Sequence, residues 1–255
     1  TIVAKKLNTR VAHVEGGIRS FDLTMPEEIN RLVTDSIADF FFTTTTVANN
    51  NLLKSGVHES QIFFVGNTMI DSLQFSLDKL KAPAVWIQLA LIPRTFYVLT
   101  LHRPSNVDDY TKLNRLLSTI EHAAGSKKII FPVHPRTRNN FNRMSEQFQN
   151  IMAIEPLSYF EFIYLIQNSV GVITDSGGVQ EETTVLGIPC VTLRKNTERP
   201  ETIHVGTNEL VGDDEEKLKQ AVAAIEAGSW KKGKVPELWD GHAAERIVNV
   251  LQQMN

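Results

Sequence analysis

Cysteine is almost missing from this sequence: of 255 residues, only Cys190 carries a thiol. A disulfide framework is thereby excluded. The lone thiol sits in the apolar run "IPCVTL" (188–193) and reads as a small buried hydrophobe that needs no oxidising compartment. No apolar stretch approaches the roughly 20 residues that would span a bilayer, and the first residues lack a secretory-signal pattern. No membrane partner is expected, and the expected compartment is the cytoplasm. A basic excess is missing as well. Twenty-six Lys and Arg face 29 Asp and Glu, for a formal charge of −3, and no basic stripe stands out, which argues against nucleic acid as a partner. Low-complexity segments and repeats of solenoid length are absent. There is no G-x-G-x-x-G after a strand, no G-x-S-x-G and no H-E-x-x-H, so nothing calls for NAD, an acyl nucleophile or zinc. The expectation is therefore no cofactor and no metal. An initiator Met is lacking too, and "TIVAKKLNTRVAHVE" opens as if on the tail of a helix, as expected of a fragment.

What is present is an ordinary globular composition, 42% apolar and 22% charged. Short β-rich runs alternate with longer amphipathic segments, the pattern of an α/β protein with parallel sheet. Strands are expected at 11–15, 40–43 and 62–65, with helices at 26–39 and 47–55. In "PEEINRLVTDSIADF", Ile29, Leu32, Val33, Ile37 and Phe40 share one helical face. Residues 79–95 carry two prolines and irregular polarity and are expected to connect two domains. Six further strands are expected near 96–101, 129–133, 151–154, 170–174, 189–193 and 208–211, enough for a doubly wound domain. The last segment, "GHAAERIVNVLQQMN", reads as a helix.

Four constellations carry chemistry. In "TDSGGVQEE" an apolar strand delivers Ser176, Gly177 and Gly178 to a helix entrance. Such an entrance offers free N–H groups and partial positive charge to an anion, and glycine lets a phosphate approach the backbone. The competing reading is a Ser-capped helix with acids in its first turn. Glu182 lies deeper in the helix and is placed to accept ribose hydroxyls, so the stretch as a whole describes a nucleotide. In "HVEGGIRS", Glu15 ends a strand where such folds bind ligands, although structural glutamates also occur there. In "TMPEEINR", Thr24 and Glu27 have capping-box spacing and Pro26 suits a first turn; a catalytic role for Glu27 competes with that cap. Finally, His102 and His134 close two apolar strands, each beside Arg and Pro, at equivalent ends of one sheet.

These stretches resemble the non-hydrolysing UDP-N-acetylglucosamine 2-epimerases. "HVEGGIRSFDLTMPEEINR", "VGNTMIDSL", "TLHRPSNVDD", "FPVHPRT", "DSGGVQEE" with "LGIPCVTLR", and "TERPE" followed by "GTNELVG" run in family order over nearly the whole chain. The resemblance implies two Rossmann-like domains of the GT-B type, with substrate in the cleft between them and the N-terminal domain incomplete. Its divisions would be 1–80 (the remaining N-terminal domain), 81–95 (connection), 96–240 (UDP-binding domain) and 241–255 (a helix returning to the first domain). It also implies inversion at C2 of a UDP-sugar without a redox cofactor, by elimination of UDP to a 2-acetamidoglucal and re-addition. Proton removal on one face and delivery on the other need acid–base groups. Glu15 and Glu27 match the family's catalytic glutamates, and His102 a histidine at the diphosphate. Ser176, Gly177 and Gly178 match the diphosphate loop, Glu182 the ribose ligand and Phe162 the residue beside uracil. Arg19, His134 and Arg199 are expected to bind substrate, and the partner is expected to be a second copy in a homodimer. A third catalytic acid of the family, an Asp, has no counterpart here. The alternatives are a hydrolysing epimerase releasing UDP and N-acetylmannosamine, a GT-B glycosyltransferase, and a non-catalytic UDP-binding remnant.

Overall fold

Short apolar runs rich in Phe, Val and Ile form parallel strands, because a strand covered on both faces needs no polar alternation. The structure, a computed structural model, describes residues 1–254 and contains two all-parallel sheets. The chain divides into two compact units. One comprises Thr1–Phe75, Glu198–Glu201 and the residues from Val235 onward; the other comprises Ser76–Thr197 and Thr202–Lys234.

In the first unit, α1 (Ile2–Lys6) leads to β1 (Ala12–Val14), α2 (Pro26–Ile37), β2 (Phe40–Thr43), α3 (Thr46–Lys54), β3 (Ile62–Phe64) and α4 (Thr68–Ser76). The strands pair in the order β1-β2-β3, which leaves β1 at an edge. Helix α2 forms where its pattern predicts, but its orientation is unexpected. Ile29, Leu32 and Val33 are 49%, 38% and 41% exposed, whereas Glu28 and Asp35 are buried. Buried backbone N–H groups need acceptors, and these two carboxylates supply them. Glu28 accepts from the N–H of Ser20 (2.9 Å) and of Phe21 (3.1 Å), and Asp35 from that of Gly17 (3.1 Å). The polar face therefore turns inward, toward the loop between β1 and α2.

The second unit opens with α5 (Ala84–Gln88), followed by β4 (Phe96–Thr100), α6 (Pro104–Val107), α7 (Tyr110–Ala124), β5 (Lys128–Pro132), α8 (Pro135–Asn142) and β6 (Ile151–Ile154). Then come α9 (Tyr159–Asn168), β7 (Gly171–Thr174), α10 (Gly177–Leu186), β8 (Cys190–Thr192), α11 (Pro200–His204, whose first two residues are counted with the first unit), β9 (Asn208–Leu210) and α12 (Glu215–Glu226). The sheet order is β6-β5-β4-β7-β8-β9. Direction of winding reverses between β4 and β7, and in such sheets ligands bind beyond the carboxyl ends at that reversal. Leu99, Leu117, Ile120, Phe131, Ile173, Val191 and Val222 fill the core. Residues 81–95, expected as a connection, instead fold within this unit. Val85 is buried, and the Trp86 ring lies edge-on to Phe96 and Tyr164, at centroid distances of 5.8 and 5.2 Å. The apolar surface of Trp86 and Val85 is the physical reason this stretch packs.

The closing helix, α13 (Ala243–Gln253), clusters with the first unit. Its first N–H groups are accepted by the Asp71 carboxylate of α4, Ala243 at 3.0 Å and Ala244 at 2.7 Å. Before it, Trp239 is buried and its indole N–H donates to the Thr44 carbonyl (3.1 Å). Gly66, at φ +94, lies so close that a Cβ would stand 2.1 Å from the Leu238 carbonyl oxygen. Only glycine allows that approach.

Candidate functional site

In the second unit, the chain leaves β4 and β5 through the same short extension, placing His102 and His134 two residues past each strand. Their ring centroids are 5.7 Å apart. Nδ1 of His102 lies 2.8 Å from Oδ1 of Asp175, the residue that follows β7. Asp175 is fully buried and also accepts from the N–H of Arg103 (2.9 Å) and from the Asn106 amide (3.2 Å). Burial alone would raise its pKa, but the His102 bond and charge, the Arg103 N–H and Asn106 outweigh it and hold the carboxyl below its ordinary range. His134 is exposed and caps α8, its Nδ1 accepting from the Arg136 N–H (3.2 Å).

Beyond Asp175 the chain enters α10. Ser176 occupies the N-cap position, yet its side chain makes no capping bond, and no acid lies in the first turn. Both elements of the competing structural reading are thus unmet, and the first N–H groups of α10 remain available to an anion. Glu181 and Glu182 lie in the second turn and are buried. Burial pushes the Glu182 carboxyl up to about 7, against a hydrogen bond from Tyr159 that works to lower it. Tyr159 and the half-buried Phe162 belong to α9, which packs on α10.

The first unit holds the other candidates. Glu15 adopts φ +63, a left-handed conformation that costs a non-glycine residue about 1–3 kcal/mol and is retained where surroundings over-determine it. Those surroundings are visible. The Gly16 N–H donates to the Phe42 carbonyl (3.2 Å), and Arg199 reaches the Glu15 carboxylate at 3.1 Å. Gly17 has φ +79, and a Cβ there would stand 2.3 Å from the Ala48 carbonyl oxygen. Asp35 binds His13 Nδ1 (2.5 Å), the Gly17 N–H (3.1 Å) and Arg19 (2.6 Å). Burial would raise the pKa of Asp35, but His13 and Arg19 more than offset it and hold it low. Arg19 is therefore turned inward, where it ties the loop to Asp35.

Glu27 is exposed in the first turn of α2 and takes no part in capping. The capping box expected of Thr24 and Glu27 does not form. Met25 is the N-cap residue, and the Thr24 hydroxyl donates to Asp22 (2.6 Å) instead. Among the described residues no hydrogen bond or ion pair joins Glu27 to Glu15. The structure thus brings His102, His134 and Ser176 to one end of one sheet and pairs Glu15 with Arg199. Asp175, Asp35 and Tyr159 are the participants that sequence reasoning missed. Asp175 stood inside the quoted glycine stretch, but only its contact with a strand end 73 residues earlier reveals its role.

Fold and site define a class first: a doubly wound unit with an uncapped helix N-terminus at its winding reversal, in one chain with a smaller parallel α/β unit that presents carboxylates. The family model described as UDP-N-acetylglucosamine 2-epimerase matches residues 1–252, and the chain belongs to that family. The UDP-N-acetylglucosamine 2-epimerase of Methanocaldococcus jannaschii is 43% identical over 263 residues, covering 98% of this chain and 70% of that protein. A crystal structure of the M. jannaschii enzyme in complex with UDP-GlcNAc and UDP matches with a TM-score of 0.86 and 43% identity, over 99% of this chain and 71% of that one. A UDP-2,3-diacetamido-2,3-dideoxy-D-glucuronate 2-epimerase of Pseudomonas aeruginosa is 35% identical over 257 residues, 99% of this chain and 71% of that protein. The α/β class with parallel Rossmann-like sheets is shared with these epimerases.

Proposed function

We propose that this chain is a UDP-N-acetylglucosamine 2-epimerase, an isomerase that interconverts UDP-GlcNAc and UDP-ManNAc. Family membership supports the activity. The observation that carries the reading of the site is the uncapped entrance of α10 directly after the Asp175–His102 pair. In this reading the α10 entrance at Ser176, Gly177 and Gly178 holds the diphosphate, and His102 meets it from β4. His134 lines the same sheet end, Glu182 accepts the ribose hydroxyls and Phe162 packs beside uracil.

Chemistry at the sugar falls to carboxylates. A weakly acidic C2–H is removed as the C1–O bond breaks and UDP departs, leaving a 2-acetamidoglucal. Reprotonation of C2 on the opposite face and return of UDP complete the inversion. Glu15 and Glu27 are the proton-transfer groups. Arg199 orients Glu15, and Arg19 acts indirectly, by fixing the loop through Asp35. No step requires a redox cofactor, because hydrogen leaves and returns as a proton. The reading extends to a homodimer in the cytoplasm, supported by family resemblance alone; sedimentation of the purified protein checks the dimer.

Turnover in deuterium oxide tests the mechanism. Product should carry deuterium at C2, because the proton returned there comes from a group that has equilibrated with solvent. Epimerisation without deuterium at C2 would rule out elimination and re-addition.

A further inference from the structure

His102 and His134 occupy matching places past adjacent strands, yet their rings are wired in opposite senses. A buried, ionised Asp175 can only accept a hydrogen bond, so Nδ1 of His102 must carry the hydrogen. A backbone N–H can only donate, so Nδ1 of His134, facing the Arg136 N–H, must be bare. One ring is held with hydrogen on Nδ1; its neighbour, when neutral, keeps hydrogen on Nε2.

The Asp175 carboxylate is itself fixed. Oδ1 faces the His102 ring at 2.8 Å and the His102 backbone N–H at 3.1 Å. Oδ2 accepts from the Arg103 N–H at 2.9 Å and from the Asn106 amide at 3.2 Å. Asn106 is anchored in turn by a second bond, to the Leu193 carbonyl (3.1 Å). The carboxylate cannot rotate without losing contacts to the backbone, to Asn106 or to the ring. The bonds that hold the carboxylate in place also fix which oxygen faces the His102 ring nitrogen.

We infer that Asp175 is a positioning residue for the reaction, holding His102 with hydrogen on Nδ1 so that Nε2 alone gives and takes a proton at the departing diphosphate. The inference rests on the proposed reading that His102 meets the diphosphate. When C1–O breaks, its electron pair goes to the diphosphate oxygen, and the Nε2 proton passes to that oxygen while a carboxylate takes the C2 proton. On re-addition the diphosphate oxygen attacks C1 and returns its proton to Nε2. The Nδ1–H stays on Asp175 throughout, and the ring alternates between two states that both keep that bond.

Asp175→Asn breaks this wiring selectively. An amide oxygen in the place of Oδ2 keeps the Arg103 and Asn106 bonds, but its NH₂ then faces Nδ1, which must become an acceptor. Hydrogen is forced to Nε2, where it still bonds a diphosphate but has no low-energy route away. The expected result is a fall in kcat of about 10²–10⁴-fold, the scale of general acid–base catalysis, with little change in KM.

The decisive measurement is ring ¹⁵N NMR on histidine-labelled protein, with His102→Gln identifying the resonances. At a pH where the ring is neutral, wild-type His102 should show a protonated Nδ1 and a bare Nε2, and Asp175→Asn should exchange the two. A wild-type ring with hydrogen on Nε2 overturns the inference, even if the Asn variant fails to fold. An unchanged tautomer in a folded Asn variant overturns it as well. Adding UDP should perturb the Nε2 resonance. No response would refute the diphosphate reading, and the catalytic half of the inference with it, while leaving the Asp175–ring geometry standing.

Discussion

Replacing Glu182 by glutamine should make the protein more stable in neutral and alkaline solution and leave it unchanged in acid. The Glu182 side chain is buried in the second turn of α10, with Tyr159 as its hydrogen-bond donor. Burial raises its pKa from 4.5 to about 7. A folded carboxyl with a raised pKa retains a proton that the unfolded chain has released. Its contribution is therefore fully present below about pH 4.5 and lost as pH rises through about 7. Since one pKa step is worth about 1.4 kcal/mol, the loss is on the order of 3 kcal/mol. Glutamine has the same shape and no charge at any pH, so its variant should not show this slope. Urea unfolding of both proteins between about pH 5 and 8.5 would measure it. The stability difference should be small at the acid end and approach about 3 kcal/mol at the alkaline end. Parallel profiles would mean that burial does not perturb Glu182. The same linkage predicts that UDP binds wild-type protein more tightly as pH rises through about 7, because ribose hydroxyls favour the ionised carboxylate. The glutamine variant should keep only the dependence that comes from the terminal phosphate of UDP, whose second ionisation falls near pH ~6.

Glu182→Ala should weaken UDP binding by about 1.5–3 kcal/mol, the scale of hydrogen bonds to a charged group, and affect free pyrophosphate much less; calorimetry with both ligands decides. Glu15→Gln and Glu27→Gln should each slow deuterium exchange at C2 by about 10²–10⁴-fold while leaving UDP affinity nearly unchanged. Because Glu27 caps nothing, its Gln variant should remain within about 0.5 kcal/mol of wild type in unfolding experiments. The adjacent Glu28→Ala should instead cost about 1–3 kcal/mol, since it strands the buried N–H of Ser20 and the partly buried N–H of Phe21. Trp239→Ala should destabilise the first unit by about 3–5 kcal/mol, which thermal unfolding would show.

Much of the second unit was legible because its strands are continuous apolar runs separated by helical patterns, and each expected run from 96 to 211 contains a strand. Helix α4 (Thr68–Ser76) escaped notice, and with it the role of its Asp71, which serves a helix start 172 residues away. Helix α2 was legible as a helix but not in its orientation. Periodicity marks the apolar face, whereas Glu28 and Asp35 are drawn inward by backbone donors that only the folded loop presents. The capping box failed for a related reason, as Asp22 takes the Thr24 hydroxyl. Glycine and glutamate at a helix entrance signalled an anion site, but Asp175 read as one more acid until His102 was found against it. Spacing identifies elements well; long-range hydrogen bonds decide which side chains they aim.

Strand β1 ends the small sheet with nothing paired to its outer side among the described residues. Val14 on that strand, Ile2 and Val3 on α1, Leu7 at its C-cap, and Ile29, Leu32 and Val33 on α2 all reach solvent. An open strand edge with apolar neighbours is a template for further strands. The small sheet can therefore gain a strand on its β1 side, and a lysine placed at Val14 should oppose that pairing.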